Sequence, residues 1–170
     1  VARISDAFGD QNIIREEVSF RGRASETIVA WLMFMDRPVF GVGANNYPVY
    51  YQFYSRSLGL DPRAEERQAH NLYLQIAAET GLAGIFVFGG ILWSLFKGMQ
   101  NSWRRLKQVA LDDYTNMFFS FEVGMVGYLV AAFFIHAAYP RYFWMLAGIA
   151  FAIPQIADKL LTSKAEEMNE

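Results

Sequence analysis

Three long apolar runs constrain this chain more than any other feature. Gly81 to Phe96 (GLAGIFVFGGILWSLF) carries no charge, Met117 to Ile135 carries only Glu122, and Tyr142 to Ala157 carries none. A helix needs about 20 predominantly apolar residues to cross a bilayer, with roughly 17 as the lower limit. The runs therefore predict spans at about 81–97, 117–136 and 141–158. Trp93, Trp103, Tyr139, Tyr142 and Trp144 lie near the proposed ends, where amphipathic rings favour the interface. A 170-residue chain is too small to bury three such helices in one soluble core. Its composition agrees, at 54% apolar and 16% aromatic.

The charged residues give a direction. Lys97, Arg104, Arg105 and Lys107 fall in the connector 97–116, and Lys159 and Lys164 follow the last run. The turn at 136–141 has only Arg141 as a Lys or Arg. By the positive-inside rule the connector and the C-terminus are cytoplasmic. Segment 1–80 then lies on the other side. It contains eight Arg and no Lys. Arginine's rigid fork binds phosphate oxygens bidentately, which lysine cannot do. The alternative is that these arginines pair with the ten acids of the same segment.

Several functions are disfavoured. With no Cys there is no disulfide framework and no thiolate metal site. Two separated His offer no histidine metal site, so no metal and no cofactor are expected. Nothing marks a nucleic-acid partner.

Within 1–80, Ala24 to Asp36 predicts a helix, with Ile28, Trp31, Leu32 and Met35 at i, i+3, i+4, i+7. Pro38 ends it. Phe40 to Pro48 (FGVGANNYP) is a turn-rich loop whose glycines allow tight turns or close approach. Val49 to Leu60 predicts a second helix, Asp61 to Gln68 a polar linker, and Asn71 the N-cap of a helix over 72–80. Glu79 opposes the dipole at the end of that helix. Either the helix continues into the membrane, or a cation, an Arg of the same segment, holds Glu79, and the two are compatible.

The order of these features resembles the bacterial O-antigen ligase and O-antigen polymerase superfamily. The matching stretches are Arg23, MFMDRPVFGVGANNY (Met33 to Tyr47) and AHNLYLQIAAETGLAGIFVF (Ala69 to Phe88). Two positions depart from the family pattern: Arg37 stands before Pro38 where His is frequent, and Thr27 stands where Trp commonly follows the Arg. The family has about ten or more spans, so the chain is expected to be the C-terminal part of such a protein, beginning inside its large periplasmic loop. The resemblance implies an all-α fold of multi-pass membrane helices with a largely helical periplasmic loop, in the bacterial inner membrane. It implies transfer of a glycan from undecaprenyl diphosphate to a hydroxyl on a lipid, a glycan or a protein.

That chemistry needs a base for the acceptor hydroxyl and fixed cations for the departing diphosphate. His70 is the expected base, since imidazole titrates near pH 6.5. Arg23 is the expected diphosphate clamp, against a simple ion pair with Glu26 at i+3. Arg21 and Arg67 are further candidates for substrate contact. Asn71 and Glu79 complete the candidate set, Asn71 chiefly as a cap and Glu79 chiefly as an orienting group. Glu122 is intramembrane by sequence and reads as snorkelling towards the interface. His136 reads as an interfacial imidazole. Two non-enzyme readings compete: a transporter or flippase fragment, and a glycan-binding membrane module.

Overall fold

The computed structural model describes residues 22–60, 67–134 and 141–168. Arg21, the linker residues 61–66, and His136 with its turn lie outside them. The described residues are all-α. They comprise α1 over 22–36, α2 (Tyr47–Ser57), α3 (Leu72–Gln108), α4 (Asp112–Ala131) and α5 (Arg141–Glu167). The chain divides into two compact units, one reaching Ile85 and the other beginning at Phe86.

In the first unit α1 forms where the sequence predicts, but it buries a different face. Ile28, Trp31 and Met35 are exposed, whereas Val29, Ala30 and Met33 are fully buried with Ser25 and Glu26. The buried stripe is thus i, i+3, i+4, i+7 starting from a polar residue. Apolar periodicity could not find it, because Glu26 is carried inside by its partners rather than by hydrophobicity. Tyr47 and Tyr51 from α2 pack on this face, and each large side chain buried in this way is worth about 1.5–3 kcal/mol. Helix α2 starts at Tyr47, two residues before the predicted helix, because Pro48 is accommodated in its first turn.

Helix α3 is broken at Gly81, where φ is 63° and ψ −159°. The break orphans carbonyls below it and N–H groups above it, and the 37–43 loop satisfies both. Val42 and Gly43 N–H donate to Ala78 and Glu79 C=O at 2.9 and 2.8 Å. Leu82 and Ala83 N–H donate to Pro38 and Val39 C=O at 2.8 and 3.1 Å. Such closeness demands glycine on both sides. A Cβ on Gly41 would lie 2.3 Å from Glu79 backbone, and one on Gly81 would lie 2.5 Å from Val39 backbone. Gly41 therefore serves a turn and a close backbone approach within the chain at once.

In the second unit, α3 from Phe86, α4 and α5 share a core of Leu95, Met99, Leu106, Phe118, Met125, Phe143, Ala147, Ala150, Ile153 and Ala157. The expected connector at 97–116 is largely helical. Helix α3 continues to Gln108 because Met99, Ser102 and Leu106 keep a buried stripe going beyond Leu95. The turn to α4 is confined to Val109–Leu111. Helix α5 likewise runs on to Glu167. Glu122 on α4 accepts from Gln100 Nε2 at 3.3 Å.

Among the described residues two helices, α3 and Tyr142–Glu167 of α5, are long and apolar enough to cross a membrane. Most of each apolar stretch is exposed, whereas the core helix of a soluble domain is mostly buried. Helix α4 is shorter in apolar length: Asp112, Asp113, Asn116 and Glu122 interrupt it, and it ends at Ala131.

Candidate functional site

Two buried carboxylates organise the first unit. Glu26, on the buried face of α1, has a side chain only 2% exposed. Its Oε1 accepts from Arg67 Nη1 at 2.8 Å, and its Oε2 lies 2.7 Å from His70 Nδ1. A buried carboxylate needs such compensation, since one left unpaired costs several kcal/mol. The i, i+3 pair with Arg23, the alternative to its reading as a clamp, does not form. Arg23 is exposed and has no ion pair among the described residues.

Glu79 is the second, 2% exposed. Its Oε2 accepts the Asn45 N–H at 3.0 Å and its Oε1 the Tyr47 N–H at 3.1 Å. The carboxylate thus sits at the N-terminus of α2, where the helix dipole favours negative charge. Gln75 Nε2 adds a bond at 3.2 Å and also donates to Gln68 Oε1 at 2.8 Å. A carboxylate badly placed for its own helix is therefore well placed for a neighbour. The sequence could not show this, because Asn45 and Tyr47 contribute through backbone groups.

Tyr47 joins the two carboxylates. Its N–H reaches Glu79, and its hydroxyl donates to the Glu26 backbone carbonyl at 2.8 Å. Burial, and then the nearby Glu26 charge, push the Tyr47 phenol well above its ordinary range. Tyr51 adds a hydroxyl contact of 3.0 Å with Ser25 on the same helix face.

The histidine is fixed from below as well. Asn71 Oδ1 accepts from the Tyr73 and Leu74 N–H groups at 3.0 Å each, capping α3 one residue after His70. His70 therefore stands at a helix entrance with its ring half-exposed. Among the expected site residues, His70 and Arg67 meet at one carboxylate, Asn71 caps beside them, and Glu79 belongs to the adjoining network. Glu26 is the residue that sequence reasoning missed as a member of the site. Its available signal was its position one turn after Arg23. Among the described residues no three His, Asp or Glu side chains come together as a metal site would require.

The fold and these networks define an α-helical membrane protein with a polar, arginine-bearing cluster just ahead of a membrane-length helix. The family model described as O-antigen ligase matches residues 3–89, half of the chain, and the chain belongs to that family. Both carboxylate networks fall inside the matched span. No curated protein and no solved structure matches the chain.

Proposed function

We propose that this protein transfers a glycan from undecaprenyl diphosphate to an acceptor hydroxyl at the periplasmic face of the inner membrane, in the manner of an O-antigen ligase. A polymerase or a protein O-oligosaccharyltransferase would differ only in the acceptor. The observation that carries this reading is the Glu26–His70 contact, a half-exposed imidazole oriented by a buried carboxylate within the family-matched region.

The acceptor O–H gives its proton to His70 as its oxygen bonds to the anomeric carbon. The bond from that carbon to the diphosphate oxygen breaks, and undecaprenyl diphosphate leaves with the electron pair. Fixed cations stabilise the charge on the leaving group, a task for Arg23. The donor's tail is in the bilayer and its diphosphate at headgroup level, so the base belongs where a helix enters the membrane. Residues 1–80 then face the periplasm, the Lys-bearing C-terminal ends of α3 and α5 face the cytoplasm, and α4 crosses with the other two.

Turnover of a labelled lipid-linked glycan by the protein in vesicles tests this. Glycosyl transfer should release undecaprenyl diphosphate in step with glycosylated acceptor. A transporter would move the donor between leaflets with its glycosidic bond intact, and a glycan-binding module would retain it unchanged.

A further inference from the structure

We infer that Glu26 is a positioning residue that sets the tautomer of His70, and that by engaging Arg67 the same carboxylate divides the cations of the site, leaving Arg23 to face the diphosphate. The inference deepens the transfer reading above and rests on it for its kinetic consequences.

An ionised carboxylate only accepts hydrogen bonds. At 2.7 Å, Glu26 Oε2 therefore requires the proton of a neutral His70 to be on Nδ1. The lone pair is then on Nε2, which becomes the basic nitrogen. Neither oxygen of Glu26 is free to turn away, since Arg67 Nη1 holds Oε1 at 2.8 Å and the side chain is 2% exposed. The capped start of α3 holds the backbone of the same imidazole. When Nε2 takes up the acceptor's proton, the imidazolium that forms lies against a fixed negative charge. Arg67 supplies the countercharge that lets this carboxylate remain ionised while buried. Arg67 is thereby tied to a protein anion. Arg23, one turn before Glu26 on α1, is exposed with no ion pair among the described residues.

Glu26→Gln tests this with little change of shape. Arg67 offers only donors, so the amide turns its oxygen to Arg67 and its NH2 to Nδ1. The His70 proton then moves to Nε2 and the base is lost. We expect kcat to fall by about 10²–10⁴-fold, the scale of a lost general base, while KM for the lipid-linked donor stays within about twofold of wild type. Glu26→Asp, which keeps the charge, should recover at least about tenfold of that loss, and Glu26→Gln should cost nothing more in a His70→Ala background. Arg23→Ala, which removes a diphosphate contact, should instead raise the donor KM as well as lower kcat/KM. Wild-type kcat in Glu26→Gln, a loss confined to KM, or full additivity with His70→Ala overturns the inference.

A readout independent of activity, and of whether Glu26→Gln accumulates, is the 15N spectrum of the His70 ring in the wild-type protein, assigned against His136→Ala. The Nδ1–H tautomer is expected, and the Nε2–H tautomer overturns the inference. A protein that shows the Nδ1–H tautomer but turns over no lipid-linked donor would defeat the transfer reading alone.

Discussion

Gly41 and Gly81 hold each other's chain segments at backbone contact. Each has a positive φ, 66° and 63°, and each faces carbonyl groups of the other's segment. This interlock docks the 38–43 loop into the break of α3, within the first unit, and supplies partners to the backbone groups the break leaves over.

Gly41→Ala and Gly81→Ala should therefore destabilise strongly. Left-handed backbone alone costs a non-glycine residue about 1–2 kcal/mol. At Gly41 and Gly81 a contact under 3 Å with backbone is added, which pushes the expected loss beyond about 3 kcal/mol. Gly59 has a similar φ of 64° but open space around it, so Gly59→Ala should cost only the backbone term. Unfolding of the three variants in detergent, followed by denaturant, gives the comparison. Equal stability of Gly41→Ala and Gly59→Ala would mean that the loop does not dock as described.

Alkaline pH should loosen the first unit. Burial and then the hydrogen bond to Asp36 push Tyr54 up from 10.0 to about 12, and Tyr47 is raised as well. The folded state thus favours the neutral phenol. Its contribution to stability is complete below about pH 10 and is lost as pH rises towards 12. Tyr54→Phe should flatten the fall of stability between these values. An unchanged slope would show that the Tyr54–Asp36 bond does not persist in solution.

Arg23 offers a test of fork geometry. If it grips a diphosphate bidentately, Arg23→Lys keeps the charge and loses the second hydrogen bond. We expect at least about a tenfold loss in kcat/KM for the lipid-linked donor, since each charge-assisted bond is worth about 1.5–3 kcal/mol. Membrane levels should stay normal, because Arg23 is exposed. Full activity in Arg23→Lys would reduce it to a solvated surface charge.

The division of the chain was legible in part. Long uncharged runs announce membrane helices because lipid selects on composition alone, and Asn71 announces a cap because one side chain supplies the acceptor. The buried face of α1 was not legible. Its pattern begins with Ser25 and Glu26, and burial of Glu26 depends on Arg67 and His70, 41 and 44 residues away. The docking of the Gly41 loop into the Gly81 break was hidden for a similar reason: its bonds are all backbone, and the glycines reveal only that a side chain would be in the way. The helical continuation to Gln108 was masked by charges on its exposed face, although Met99 and Leu106 kept the apolar spacing.

Membrane orientation is open to direct measurement. All four Lys of the chain follow Phe96, which motivates a periplasmic first segment and a cytoplasmic C-terminus. Reporter fusions at Asn101 and Glu170 should score cytoplasmic, and one at Gly59 periplasmic. A periplasmic score at Glu170 would remove one of the three crossings.

The most direct test of glycosyl transfer by this cluster is the rate of His70→Ala beside that of His136→Ala, each assayed in membranes with an undecaprenyl diphosphate-linked glycan. A general base contributes about 10²–10⁴-fold. His70→Ala should lose transfer by that factor while retaining donor binding and normal amounts of folded protein, and His136→Ala should transfer at close to the wild-type rate. Wild-type transfer by His70→Ala, or equal losses in the two variants, would contradict the assignment of His70 as the base.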